Sequence, residues 1–175
     1  MGRSRASASA GALFMLSDPM DQDTRDLAAL IEELSPQADS GNAIFIAALL
    51  EDELQRLLLM FMPTISNILA SRLFDDYGPL NSFAAKIDVA RALDLIDMGT
   101  YTDLRAIQAI RNNFAHPRDR LNFKSPEIER RGISLRGWRS GCDLRELFEE
   151  RASNAMAAMG RKADALIYAR ASEGE

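Results

Sequence analysis

The segment at residues 110–120, IRNNFAHPRDR, brings together an arginine, an asparagine and the only histidine of the chain. A histidine side chain can exchange a proton near neutral pH, and the guanidinium of arginine binds phosphate through a fork of donors. Such a histidine could take the proton from a ribose 2′-hydroxyl or protonate the leaving oxygen, while the arginine offsets charge on the phosphorane. These residue types favour RNA cleavage without a metal, with Arg111, Asn112 and His116 as candidate catalytic residues.

The spacing along the helix determines whether these side chains can meet. Asn112 and His116 are four residues apart and share a helix face. Arg111 and His116 are five apart, which is about 140° of rotation. Because Pro117 disfavours helical geometry at the residue before it, we expect the helix to end at His116 and the imidazole to turn towards the long arginine side chain. A histidine at such a helix end can equally be a capping or surface residue, and that interpretation stays open.

Arg111 also has a purely structural interpretation. It lies between Ile107 and Phe114 on the apolar stripe of its helix, and Glu51 lies within an apolar stripe of an earlier helix. An unpaired buried charge is costly, so two opposite charges on two apolar faces predict a buried ion pair between Arg111 and Glu51. Such a pair would account for the arginine without any catalytic role.

The residues that follow the histidine are basic. Between residues 117 and 140 there are seven Arg or Lys and three Asp or Glu, a local excess of four positive charges in a chain whose net charge is −5. The segment lacks a sustained period and is longer than most connections in helical bundles. It is either a solvated loop whose arginines pair with acidic helices or a surface that contacts phosphate. The candidate phosphate contacts are Arg118, Arg120, Lys124, Arg130 and Arg131.

Apolar residues recur at helical spacing along most of the chain, with neither an alternating strand pattern nor a repeat. Pro36 and Pro63 are expected to end the first two helices, and Gly99 the fourth, with Thr100 or Thr102 capping the fifth. The predicted fold class is therefore all-α, a bundle of about five to six helices. The predicted helices lie within residues 23–35, 40–62, 64–73, 81–98, 100–116 and 143–170.

With 175 residues, 47% of them hydrophobic and 27% charged, the chain has the size and composition of one globular domain. No run of 18 or more apolar residues occurs, and a single cysteine excludes an internal disulfide and a zinc-finger arrangement. We expect a cytoplasmic protein with no membrane segment, no metal and no cofactor. The expected organisation is a flexible tail over residues 1–22, one helical domain over 23–170 and a short tail over 171–175.

The arginine, asparagine and histidine at a helix end resemble the signature of HEPN domains, many of which are metal-independent endoribonucleases. Three longer stretches resemble the mannitol operon repressor family, whose fold is itself a HEPN-like helical bundle. They are ALLEDELQRLL, YGPLNSFAAKIDVARALDLI and DLRAIQAIRNNFAHPRDRLNFKSPEI. This likeness covers residues 40–145 and implies a cytoplasmic helical regulator of a sugar-alcohol operon.

Two functions therefore compete. The first is a transcriptional regulator like the mannitol operon repressor, acting through protein or nucleic-acid contacts. No helix-turn-helix with a basic recognition helix is recognisable in the sequence, which favours a protein partner. The alternative is a HEPN-type endoribonuclease that cleaves RNA with Arg111 and His116. One chain has one histidine, so two copies or a recycled proton would have to supply acid and base, and both functions favour a homodimer.

Overall fold

A computed structural model describes the backbone of residues 22–75, 77–116 and 121–173, with side chains described from Pro36 to Ser172 within these ranges. In these ranges all regular structure is helical, with six α-helices and no strand. The predicted all-α bundle is confirmed. The chain divides into two compact units, Met1–Glu33 and Leu34–Glu175, and all described side chains belong to the second.

Helix α4 is the central element of the second unit. It packs against α3, α5 and α6, and its predicted apolar stripe of Leu104, Ile107 and Ile110 is fully buried. None of the helices in the described ranges is both long and apolar enough to cross a membrane. The helices are α1 (Gln22–Phe61), α2 (Asn67–Phe74), α3 (Phe83–Ala92), α4 (Met98–Phe114), α5 (Pro126–Gly132) and α6 (Leu144–Glu173).

The first two predicted helices are one helix. Helix α1 continues through Pro36, where the sequence pattern predicted a break, and it ends at Phe61 close to the predicted stop before Pro63. A proline inside a helix removes one hydrogen bond and crowds the preceding turn, at a cost of about 3 kcal/mol. Because other interactions of a helix can offset this cost, a proline favours a helix end but does not require one. The prediction that the first helix ends at Pro36 was therefore wrong.

The start of α4 also differs from the prediction. Its N-cap is Asp97, whose Oδ1 accepts a 2.6 Å hydrogen bond from the backbone N–H of Thr100, so neither threonine is the cap. Gly99 lies inside the first turn of α4 and does not terminate the preceding helix, which ends at Ala92. The sequence offers an aspartate, a glycine and two threonines within six residues, and propensity alone does not choose the cap among them.

The described part of the long basic connection after α4, residues 121–143, contains regular structure that the sequence pattern did not predict. It contains the short helix α5, in which Ile128 is buried in the core. Seven residues make just under two helical turns, which is too few to establish a helical period in the sequence. The predicted tails lie mostly outside the described residues, except that α1 begins at Gln22 and α6 continues to Glu173.

Candidate functional site

The candidate catalytic residues lie at the C-terminal end of α4. Arg111 is half-buried in the last turn, whereas Asn112 and His116 are exposed. The helix ends at Phe114, and the backbone N–H of Ala115 closes the last turn by donating to the Arg111 carbonyl at 2.9 Å. The N–H of His116 then donates to the Asn113 carbonyl at 3.2 Å. His116 therefore lies just beyond the helix end, as predicted, with its side chain accessible from solvent.

Arg111 and Asn112 contact each other directly. One terminal guanidinium nitrogen of Arg111 donates to Oδ1 of Asn112 at 3.2 Å. Among the described residues no carboxylate lies within ion-pair distance of Arg111. Asn112 thus orients one edge of the guanidinium, and an arginine donates five N–H groups in total, so a further acceptor such as a phosphate can be bound.

The predicted ion pair between Arg111 and Glu51 is wrong. Oε1 of Glu51 accepts from the ammonium of Lys86 on α3 at 2.8 Å. Lys86 is only 4% exposed, because it lies between Phe83 and Ile87 on the buried face of α3. Lys86 on α3 and Arg111 on α4 each lie within an apolar stripe, so either cation fits the argument that predicted the pair. The sequence pattern does not show which of the two lies nearer to Glu51. The structural explanation offered for Arg111 therefore no longer applies.

Two consecutive residues of α1 hold the chain on either side of His116. The hydroxyl of Ser40 donates to the Phe114 carbonyl at 3.3 Å, at the last residue of α4. Oδ2 of the neighbouring Asp39 accepts from the backbone N–H of Phe123 at 3.1 Å, in the connection that follows. Asp39 is only 3% exposed, and its Oδ1 forms an ion pair with the guanidinium of Arg145 at the start of α6.

An aromatic cluster lies beneath this region. The ring of Phe123 packs edge-on against Phe114, with ring centroids 5.2 Å apart, and tilted against Phe148 of α6 at 5.3 Å. All three rings are buried in the core. Aromatic pairs at these separations add about 0.5–1.5 kcal/mol beyond the burial of their surface. The backbone before and after His116 is thus held both by hydrogen bonds and by packing.

The predicted phosphate contacts are only partly placed. Lys124 is exposed and directly follows the anchored Phe123, whereas Arg130 and Arg131 are exposed on α5. Arg130 lies 3.5 Å from a carboxylate oxygen of Glu127, a solvent-exposed pair that contributes little to stability. The other two predicted contacts, Arg118 and Arg120, lie outside the described residues.

The opposite end of α4 contains a charged cluster that the sequence reasoning missed. Asp103 is completely buried, and its two oxygens accept from the backbone N–H and from Nε of Arg136, at 3.0 and 2.8 Å. This hydrogen bond raises the pKa of the Arg136 guanidinium. The sequence did contain a signal for this buried carboxylate, because Asp103 lies four residues before Ile107 on the apolar stripe of α4.

A groove of about 620 Å³ runs between α1 and α6. Its walls are mainly apolar and include Ile46, Leu49 and Met156, and at one end Asn42 donates to Glu149 at 2.8 Å. On the same stretch of α1, the Phe45 side chain is 62% exposed. Asn42 is two residues from Ser40, so this groove begins close to the anchor of the α4 end.

No group of three or more His, Cys, Asp or Glu side chains in the described part of the chain could hold a metal ion. No family model, curated protein or solved structure matches the chain. The geometry at the end of α4 is thus the main evidence on which a function can be proposed.

Proposed function

We propose that the chain is a metal-independent endoribonuclease of the HEPN type, with Arg111, Asn112 and His116 as its active residues. The observation that carries this proposal is the accessible end of α4, where the Arg111 guanidinium contacts Asn112 and no described carboxylate neutralises it. The exposed imidazole of His116 lies just beyond the helix end, two residues after Phe114. These are the groups that cleavage of a phosphodiester by its own ribose hydroxyl requires.

In the proposed reaction the 2′-oxygen attacks the adjacent phosphorus, and the bond from phosphorus to the 5′-oxygen of the next nucleotide breaks. One histidine takes the 2′-hydroxyl proton, and the 5′-oxygen receives a proton as it leaves. Arg111 binds the phosphorane oxygens, where negative charge develops, and Asn112 orients its guanidinium. The products are a 2′,3′-cyclic phosphate and a 5′-hydroxyl. Because each chain has one histidine, a homodimer would supply the acid and the base from its two copies.

The test is cleavage of single-stranded RNA by the purified chain in the presence of a chelator. We expect a 2′,3′-cyclic phosphate on the product, and no cleavage of DNA, which lacks the attacking hydroxyl. His116→Ala should abolish cleavage, and Arg111→Lys should lose most of the rate, because an ammonium does not reproduce a two-pronged contact to phosphate. The matched control is Arg161→Lys, an exposed arginine on α6, which should cleave like wild type. Cleavage that persists in His116→Ala would disprove the assignment.

A second candidate function is favoured by the groove between α1 and α6. A regulator of the mannitol operon repressor type that acts through a protein partner needs an apolar contact surface, and Ile46, Leu49 and the exposed Phe45 provide one. In a transcription reporter carrying the sugar-alcohol operon promoter, Leu49→Glu should then relieve repression. His116→Ala should leave repression intact. The opposite pattern would favour the ribonuclease.

A further inference from the structure

Asp39 is a buried carboxylate that connects three separate segments of the chain. It lies on α1, accepts the backbone N–H of Phe123, and pairs with the guanidinium of Arg145 on α6. An aspartate that is 3% exposed is costly to bury unless its charge is compensated; here Oδ2 accepts a hydrogen bond, whereas Oδ1 meets the Arg145 cation in an ion pair without a hydrogen bond. Its neighbour Ser40 binds the last carbonyl of α4. One turn of α1 therefore binds the chain both before and after His116.

The two principal residues of the proposed site depend on this turn to different degrees. Arg111 belongs to α4, where the helix and the core position its backbone. His116 lies beyond the helix end, and the hydrogen bond from its N–H to the Asn113 carbonyl is the local bond that holds it. Beyond His116, the first described hydrogen bond to a distant part of the chain is the one from the Phe123 N–H to Asp39.

We propose that Asp39 is a positioning residue, which fixes the His116 imidazole relative to Arg111 by binding the Phe123 amide and the Arg145 guanidinium. This inference rests on the proposed ribonuclease function for its catalytic consequence, whereas its structural content is independent of that function. Misplacing a reacting group by about 1 Å can cost a hundredfold in rate even when the substrate still binds. Loss of Asp39 should therefore lower kcat and leave KM for RNA close to its wild-type value.

The chain provides a matched control. Asp103 is likewise a buried aspartate that accepts one backbone N–H and pairs with an arginine, but it does so at the other end of α4. Asp39→Asn and Asp103→Asn both retain the side-chain shape and one carbonyl acceptor while removing the charge. A general loss of packing or stability would affect both variants, whereas loss of positioning would affect only the first.

The experiment compares wild type, Asp39→Asn and Asp103→Asn by NMR of the histidine ring and by RNA cleavage. With one histidine in the chain, its ring signals report on His116 without assignment. We expect shifted ring signals and about a tenfold to hundredfold loss of kcat for Asp39→Asn alone. Wild-type ring signals in Asp39→Asn, or an equal shift in Asp103→Asn, would overturn the proposal.

Arg145→Gln is the second variant, because it removes the guanidinium that pairs with Asp39 and leaves Asp39 itself in place. If Asp39→Asn does not fold, Arg145→Gln decides. A smaller shift of the same ring signals supports the proposal, and unchanged signals contradict it. If wild type cleaves no RNA, the proposed function fails, while the NMR comparison still decides whether Asp39 positions His116.

Discussion

Helix α4 has charged residues at both ends, and their surroundings differ. At its N-terminal end Asp103 is fully buried against Arg136, and Asp97 caps the first turn. At its C-terminal end the Arg111 guanidinium has the neutral Asn112 as its one hydrogen-bond partner among the described residues, and the imidazole of His116 is exposed. The first end has each charge matched by a partner, whereas the second leaves a cation and an imidazole accessible.

This difference indicates which end is available for a ligand. A paired guanidinium such as that of Arg136 would have to break an existing ion pair before it bound a phosphate, and a buried carboxylate would be left without a partner. Arg111 can bind an anion without any such loss. An arginine thus stabilises the fold at one end of the helix, whereas at the other end an arginine is free of an ionic partner among the described residues.

The largest effect expected from this comparison is on stability. Arg136→Ala should lower the free energy of unfolding by about 3 kcal/mol, because it leaves the buried carboxylate of Asp103 without its cation. Arg111→Ala should change it by less than about 0.5 kcal/mol, since the arginine has no described ionic partner. Urea unfolding of both variants measures the difference. Equal losses of unfolding free energy in the two variants would mean that Arg111 stabilises the fold as Arg136 does, and that the two ends of α4 do not differ in this respect.

A second prediction concerns the partner of Glu51. A double-mutant cycle with Glu51→Gln and Lys86→Met should give a coupling energy of about 1–3 kcal/mol, because these two groups are in direct contact and Lys86 is buried. The same cycle with Glu51→Gln and Arg111→Ala should be additive within about 0.5 kcal/mol. Thermal or urea unfolding measures both cycles. Coupling between Glu51 and Arg111 would restore the ion pair that the sequence suggested.

Much of the fold was predictable from the sequence, for a physical reason. Burial of an apolar stripe imposes a period on the sequence, so the buried Leu54 and Leu57 of α1 and Ile107 of α4 could be recognised from spacing alone. The end of α4 near His116 was also predictable, because a proline restricts the residue before it. Both rules act over a few residues along one segment.

The pairing of charges could not be predicted in the same way. Glu51 meets Lys86 across 35 positions, and Asp39 meets Phe123 across 84, so these contacts depend on how helices pack. Periodicity showed that Glu51 and Arg111 each lie on an apolar stripe but carried no information about which stripes face each other. The contacts of Asp39 and Ser40 with the chain on either side of His116 were missed for this reason, since these two residues lie on α1 and not near the histidine in sequence.

A third prediction concerns pH at the paired end of α4. The hydrogen bond from the Thr100 backbone N–H lowers the pKa of the Asp97 carboxyl below its ordinary value of 3.8. A carboxyl with a lowered folded-state pKa stabilises the fold above its ordinary pKa, and this contribution is lost as pH falls through the lower value. Asp97→Asn keeps a capping side chain but removes the charge, so it should cost about 0.5–1 kcal/mol at pH 7.

The measurement for Asp97 is urea unfolding of wild type and Asp97→Asn at pH 7, 5 and 3. The difference in unfolding free energy should be constant from pH 7 to 5 and should shrink at pH 3 as the wild-type carboxyl becomes protonated. The other end of α4 is capped by the backbone of Ala115, which does not titrate. That cap should therefore contribute the same free energy at pH 7, 5 and 3. A difference that does not change with pH would show that the charge of Asp97 contributes nothing to the cap.

The smallest expected effect is at Gly99, and it tests whether Arg136 is held in place. A Cβ at Gly99 would clash with the Arg136 guanidinium, which lies across the first turn of α4 in its ion pair with Asp103. Alanine is favoured over glycine within a helix by about 1 kcal/mol. Gly99→Ala should therefore gain helix stability, and the clash with Arg136 should oppose that gain.

In the wild-type background Gly99→Ala should not stabilise the protein, because the guanidinium cannot move without separating from the buried carboxylate of Asp103. In the Arg136→Ala background the obstacle is absent, and the same substitution should stabilise by about 0.5–1 kcal/mol. Urea unfolding of the four chains gives the sign in each background. Stabilisation of equal size in both would mean that Arg136 moves freely, and the paired end of α4 would then be as available to a ligand as the end that carries His116.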